Sequence, residues 1–172
     1  MLRLIISVIA VLWLVVSGPL YAQHMYLDGA LGNSNVEEED SDLEGDGTYF
    51  RLGLGHQYSD AVAFEGGYWD LGEAEDGIFT ASADGLYFAV KAISKTSESM
   101  HLYARVGIYM WDATRCAGGF GCVDDDGSDP FFGGGIGFAA GQGMFNVELH
   151  LFELGDYDVQ TIGASYTLPF GG

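Results

Sequence analysis

Five charged side chains stand isolated among apolar, aromatic and glycine residues: Arg51, Glu65, Lys91, Arg105 and Glu148. A charge enclosed by such neighbours is costly unless an opposite charge and hydrogen bonds meet it. The five are therefore expected to pair, Arg105 with Glu148 or with Glu65. A paired set of this kind serves as an ion path or gate, or as a structural plug. His56, His101 and His150 lie in similar segments. No spacing joins two of them as metal ligands, and each is expected to complete a hydrogen-bond network.

Two acidic runs hold the other candidate chemistry, Glu37–Asp46 and Asp124–Asp129. Hard cations such as Ca²⁺ and Mg²⁺ take clustered carboxylates, which makes Asp40, Asp42, Glu44, Asp124 and Asp126 candidate ligands. Asp40, Asp42, Glu44 and Gly45 fit the first half of an EF-hand loop, but Arg51 stands where that loop needs its last carboxylate, so the motif fails. A solvated acidic loop face is the simpler expectation, with weak divalent bridging to phosphate groups beside it. Cys116 and Cys122 lie in one glycine-rich stretch without CxxC spacing, and a disulfide closing a small loop is expected. Gly133-Gly134-Gly135-Ile136-Gly137 has no strand–helix–strand context for nucleotide binding, so close strand packing explains it better. No cofactor is expected.

The elements that must position these residues are strands. Eight segments of barrel-strand length are separated by turn or acidic stretches: Met25–Gly32, Thr48–Tyr58, Val62–Leu71, Gly85–Ser94, His101–Trp111, Phe131–Ala140, Met144–Leu154 and Val159–Phe170. Short connectors (Ser59–Ala61, Lys95–Met100, Gly141–Gly143) alternate with long ones (Asn33–Gly47, Gly72–Asp84, Asp112–Pro130), and Gly155–Asp158 is short but acidic. Within segments, residue classes alternate. Leu102, Ala104, Val106, Ile108 and Met110 oppose Tyr103, Arg105, Gly107, Tyr109 and Trp111; Val147, Leu149 and Leu151 oppose Glu148, His150 and Phe152. Charges and glycines on one face suit a crowded lumen. Tyr49, Tyr58, Tyr68, Trp69, Trp111, Phe131 and Tyr166 lie near segment ends, where interfacial girdles form. The pattern predicts an all-β, eight-stranded antiparallel up-and-down transmembrane β-barrel over residues 23–172, whose lumen is only wide enough to be filled by side chains.

Residues 1–22 read as a secretory signal peptide. Arg3 precedes the apolar run Leu4–Val16, Ser17-Gly18-Pro19 breaks it, and cleavage after Ala22 is expected. The run is too short to span a bilayer as a helix. A net charge of −19 argues against nucleic acid as a partner.

Leu102-Tyr103-Ala104-Arg105-Val106-Gly107, together with the closing pair Asn146–Glu153 and Thr161–Phe170, resembles the small outer-membrane β-barrel family that includes the OmpA transmembrane domain and the opacity-type porins. Ile162–Phe170 resembles the family's β-signal, which implies that Tyr166, Leu168 and Phe170 are read by the barrel-insertion machinery. Pro169 interrupts that signal, and Gly171 and Gly172 follow it. No peptidoglycan-binding domain follows the barrel, so no tethering role is implied. Some small barrels deacylate lipid A with a His, a Ser and a carboxylate at the outer rim. His150 is the one strand histidine near such a position, and the His-x-Ser arrangement is missing. The expectation is a monomeric, non-enzymatic barrel in the outer membrane, among lipids and lipopolysaccharide, with a structural or surface-interaction role carried by its acidic loops. The alternatives are a narrow porin-like channel and an exported soluble barrel that binds an apolar ligand.

Overall fold

The computed structural model describes residues 24–38, 44–77, 79–118, 121–155 and 157–170. The leader, Asp40, Asp42, Gly171 and Gly172 lie outside the described residues. Eight strands follow one another: β1 (Met25–Glu38), β2 (Glu44–Ser59), β3 (Val62–Asp76), β4 (Phe79–Lys95), β5 (Met100–Ala117), β6 (Gly121–Ala140), β7 (Gly143–Leu154) and β8 (Tyr157–Phe170). Each pairs antiparallel with its sequence neighbours, and β1 pairs with β8, so the sheet closes into a barrel. Met25 stands opposite both His56 and Phe170, which puts both ends of the described barrel at one rim. As far outward as Phe50–Asp70 and Phe131–Phe152, closure leaves the sheet without an open edge.

Period two sorts the side chains as read from the sequence. Leu52 (62% exposed), Ile108 (53%) and Ile162 (58%) point outward, whereas Arg51, Tyr109 and Thr161 are fully buried. An apolar exterior around a charged interior is the inverse of a water-soluble barrel. It suits hydrocarbon, where every backbone polar group must pair within the sheet. The soluble alternative required the apolar face inside.

Two expectations are corrected. Tyr49, Trp69, Trp111 and Phe131 do not join a girdle; they are at most 7% exposed and fill the lumen. Strand parity decides their side, and a narrow barrel needs bulky inner residues. Tyr58 and Tyr166 do face outward, with Phe64, Phe88, Phe132, Phe138 and Phe145. The long connectors are also mostly strand. Asn33–Glu38, Glu44–Gly47, Gly72–Asp76, Phe79–Asp84, Asp112–Ala117 and Gly121–Pro130 extend the ladders outward. These acidic, glycine-rich stretches have low strand propensity, but neighbours already in register supply their hydrogen-bond partners. Asp124 and Asp126 thus sit on β6 rather than in a loop. Cys116 and Cys122 face each other near the tip of the β5–β6 hairpin and form a disulfide.

The outer end is split. Pairing of β2 with β3 stops at Phe50–Asp70, and pairing of β6 with β7 stops at Phe131–Phe152. Above these points the described residues form two four-stranded flaps, β7–β8–β1–β2 and β3–β4–β5–β6. Beside the first seam β3 carries a bulge in its ladder with β4, between Asp70 and Glu73: the Gly72 N–H donates to Asp70 Oδ1 (2.8 Å), and Gly72 adopts φ +82° with no room for a Cβ beside Thr48 of β2. Pro130 stands at the second seam, as proline in a sheet favours an edge.

The lipid-facing assignment predicts that Leu149→Arg lowers the stability of the barrel in bilayers by about 2–4 kcal/mol. Asp124→Lys, on the solvated extension, is expected to change it by less than about 0.5 kcal/mol. Urea titrations of the bilayer-inserted variants measure both, and equal effects would sink the assignment.

Candidate functional site

Strand parity sends Arg51 (β2), Glu65 (β3), Lys91 (β4), Arg105 (β5) and Glu148 (β7) into the lumen, each at most 5% exposed. Arg51 contacts Glu148 at 2.8 Å and Asp28 at 2.5 Å. Arg105 Nε meets Glu65 at 2.6 Å, while its approach to Glu148 is longer, 3.5 Å. Lys91 completes the set against Glu65 at 3.3 Å. Of the two partners expected for Arg105, Glu65 is the closer.

Sequence reasoning missed Asp28 on β1, which is 3% exposed. The five expected residues carry three positive and two negative charges; Asp28 makes the buried set neutral. Two signals pointed to it: its alternation with Leu27 and Gly29, and the unbalanced charge. Hydroxyl groups fill the remaining acceptor positions. Tyr26 donates to Glu65 (2.7 Å), Tyr103 and Ser165 to Glu148 (2.8 and 3.2 Å), and Thr167 to Asp28 (2.9 Å). The network joins β1, β2, β3, β4, β5, β7 and β8.

Of the histidines, His150 is fully buried in this network, and its Nε2 accepts from Arg105 Nη1 at 2.6 Å. It lies against Trp69 (4.8 Å between ring centroids), inside the barrel and away from the outer rim that lipid chemistry would require. Outward of the ion pairs comes an aromatic layer. Trp69 packs edge-on against Tyr87, Phe131 and Phe152 at 4.9–5.6 Å, Phe131 stacks on Phe152, and the Tyr109 hydroxyl donates to the Trp69 carbonyl. Gly133 and Gly135 give the room these large groups need, since a Cβ would strike His150 at the first and Tyr103 at the second.

Beyond the apolar band the register creates acidic rows. On one flap Asp70, Asp84, Asp112 and Asp126 stand side by side across β3–β6. On the other, Glu153, Asp158, Glu37 and Glu44 are aligned across β7, β8, β1 and β2. Adjacent strands lie about 4.8 Å apart, and like charges directly opposite destabilise a sheet. Among the described residues no three His, Cys, Asp or Glu side chains are grouped to hold a metal ion. Asp124 accepts from Thr114 at 2.9 Å, and Asp126 belongs to the first row; the structure gathers neither into a cation cage. Tyr166, Leu168 and Phe170 face outward on β8, 38–42% exposed.

The sequence matches the family described as OmpA-like transmembrane domain over residues 22–161. Among solved structures, Neisserial surface protein A superposes with a TM-score of 0.70 at 11% identity, over 85% of this chain and 97% of that one. The attachment invasion locus protein Ail of Yersinia pestis gives 0.58 at 16% identity, over 85% and 99%. The N-terminal barrel domain of Pseudomonas aeruginosa OprF gives 0.56 at 13%, over 85% and 98%. No curated protein matches the sequence.

Truncating Arg51 leaves Asp28 and Glu148 buried without their main cation. Arg51→Ala is therefore predicted to destabilise the barrel by about 3–5 kcal/mol in bilayers, whereas Arg51→Met combined with Asp28→Asn and Glu148→Gln recovers part of the loss. Equilibrium unfolding followed by tryptophan emission checks this; an Arg51→Ala barrel of unchanged stability would show that the pairs contribute nothing.

Proposed function

The chain belongs to the OmpA-like transmembrane domain family of outer-membrane β-barrels, and from that premise we propose that it is a non-enzymatic, non-conducting barrel that anchors an acidic outer surface in the envelope. The observation that carries this reading is the doubly sealed lumen. A neutral ion-pair layer and an aromatic layer lie in series, and Arg51, Arg105, Trp69, Tyr87, Phe131 and Phe152 are all at most 2% exposed. An ion path would need at least one layer to part, and the first is cross-linked by charged hydrogen bonds that are costly to break. Among the described residues no histidine stands at the outer rim to serve as a base, and His150 is enclosed in the plug.

The acidic rows support a surface role. Like-charged rows beside lipopolysaccharide phosphates coexist through divalent cations, each row sharing its ions with phosphate oxygens rather than closing a cage of its own. Ail has been crystallised in complex with the heparin analogue sucrose octasulfate. That polyanion chemistry is not carried over to this chain. Of its six Lys and Arg residues, only Arg115 lies at the outer end. Entry into the membrane is assigned to Tyr166, Leu168 and Phe170, recognised by the barrel-insertion machinery, after removal of residues 1–22. The inserted barrel acts as a monomer.

Planar-bilayer recording of the refolded protein is expected to show no steady conductance; stable, stepwise currents would overturn the plug and favour a narrow channel. Denaturant midpoints in lipopolysaccharide-containing bilayers are expected to rise with millimolar Mg²⁺ for the wild type. The rise should shrink when Asp70, Asp84, Asp112 and Asp126 are all replaced by Asn. The same Mg²⁺ response in both proteins would remove the bridging role.

A further inference from the structure

Between the two flaps, above the aromatic layer, lies a cup of about 100 Å³. Its walls are Val36, Leu154 and Val159 from one flap and Leu71, Ala83 and Ala113 from the other, with Trp111 at its base. An apolar cavity of roughly 150 Å³ stays dry and takes a benzene-sized group, so a space of this order suits the end of a hydrocarbon chain. The rim is polar. Arg115 and Asp125 project inward from β5 and β6, and Tyr157 from β8. The Arg115 Nη1 donates to the Tyr157 hydroxyl at 2.7 Å, and Nη2 reaches Asp125 only at 3.5 Å, both of these charges being about half exposed.

Two observations define the ligand. The other cations of the chain are committed elsewhere: Arg51, Lys91 and Arg105 are buried in the plug, Lys95 pairs with Asp60 at the opposite rim, and Arg3 lies in the leader. The single cation of the outer end therefore points into the mouth of an apolar cup, while Asp84, Asp112 and Asp126 stand on the outward face of the sheet. A guanidinium has five N–H donors in a fork that matches a carboxylate, and the long contact to Asp125 leaves that fork open to a better acceptor. Arg115 is also four residues along β5 from Trp111, about 13 Å, so the span from head to base suits a medium-length chain. We propose that the cup binds a medium-chain carboxylate, its head on Arg115 and its tail against Trp111. Asp125 competes with the head for the guanidinium and sets the affinity. The seam between β6 and β7, where pairing ends at Phe131–Phe152, lies just above the lipid-facing pair Phe132 and Leu151.

Tryptophan quenching by ω-bromooctanoate, with the protein refolded into phospholipid nanodiscs, tests the site. Saturable quenching is expected, lost in Trp111→Phe and reversed by unlabelled octanoate. Ala113→Phe and, separately, Ala83→Phe fill the cup and should abolish it; heat-modifiable migration in gels verifies that each variant is folded. Arg115→Gln should weaken ω-bromooctanoate about three- to fivefold, as expected for a partly exposed ion pair, and leave ω-bromooctanol unchanged. Asp125→Asn should tighten the carboxylate. Quenching that rises without saturation and survives both filled variants is partition into the bilayer and overturns the site. Equal effects of Arg115→Gln on the acid and the alcohol overturn the assigned head group.

Discussion

The rest of the structure depends on the placement of Arg51 between Asp28 and Glu148, with Arg105 bridging from Glu148 to Glu65. Neither lipid nor bulk water reaches these groups, so each charge must find its partner within the barrel or remain unsatisfied. The partners come from strands far apart in sequence but around one lumen. A one-residue slip of any of these strands would turn its charge into the hydrocarbon and strand its partner inside. The network thus specifies register as well as occupying space, and its neutrality makes it compatible with a dry interior.

Packing follows from the same geometry. Eight strands enclose a lumen that side chains must fill, and the charged layer cannot fill it alone. Trp69 supplies the link. Its ring receives the Arg51 guanidinium at 4.6 Å and meets Phe152 edge-on at 4.9 Å. Small inner residues opposite large ones, such as Gly133 beneath His150, let the rings interdigitate without pushing the strands apart. On the outside, lipid asks only for apolar surface, and Leu, Val, Ile and Phe meet that demand without specific contacts.

The outer end is governed by different physics. Where the apolar band stops, closure no longer matters, and the sheet parts at a glycine bulge and near a proline. The β3–β6 flap exposes its acidic row outward, and the two flaps keep an apolar lining inward, the reverse of the barrel below. Outward carboxylates suit water and phosphate-bound cations, whereas the inner wall beyond the aromatic layer keeps one half-exposed pair, Arg115 with Asp125, over a largely apolar cup. Arg115 is the one cation at that level, and its inward direction follows from the parity it shares with Arg105 on β5.

The sequence by itself determined the number of strands and the alternation that sends the aliphatic residues to lipid and the isolated charges to the lumen, because period two is a local property that one chain segment displays alone. It also brought the cysteines together, since they are close along the chain. The tertiary structure decided what depends on register between strands. Whether Glu65 or Glu148 lies nearer Arg105, the membership of Asp28, and the alignment of eight acids into two rows are all set by pairing across the sheet, which no single segment encodes. The inward aromatics were misread for a related reason: position near a segment end suggested a girdle, but parity decides the side. The acidic stretches were read as loops because composition favours loops there, and only the partner strands, already held in register by the barrel, made them continue as sheet.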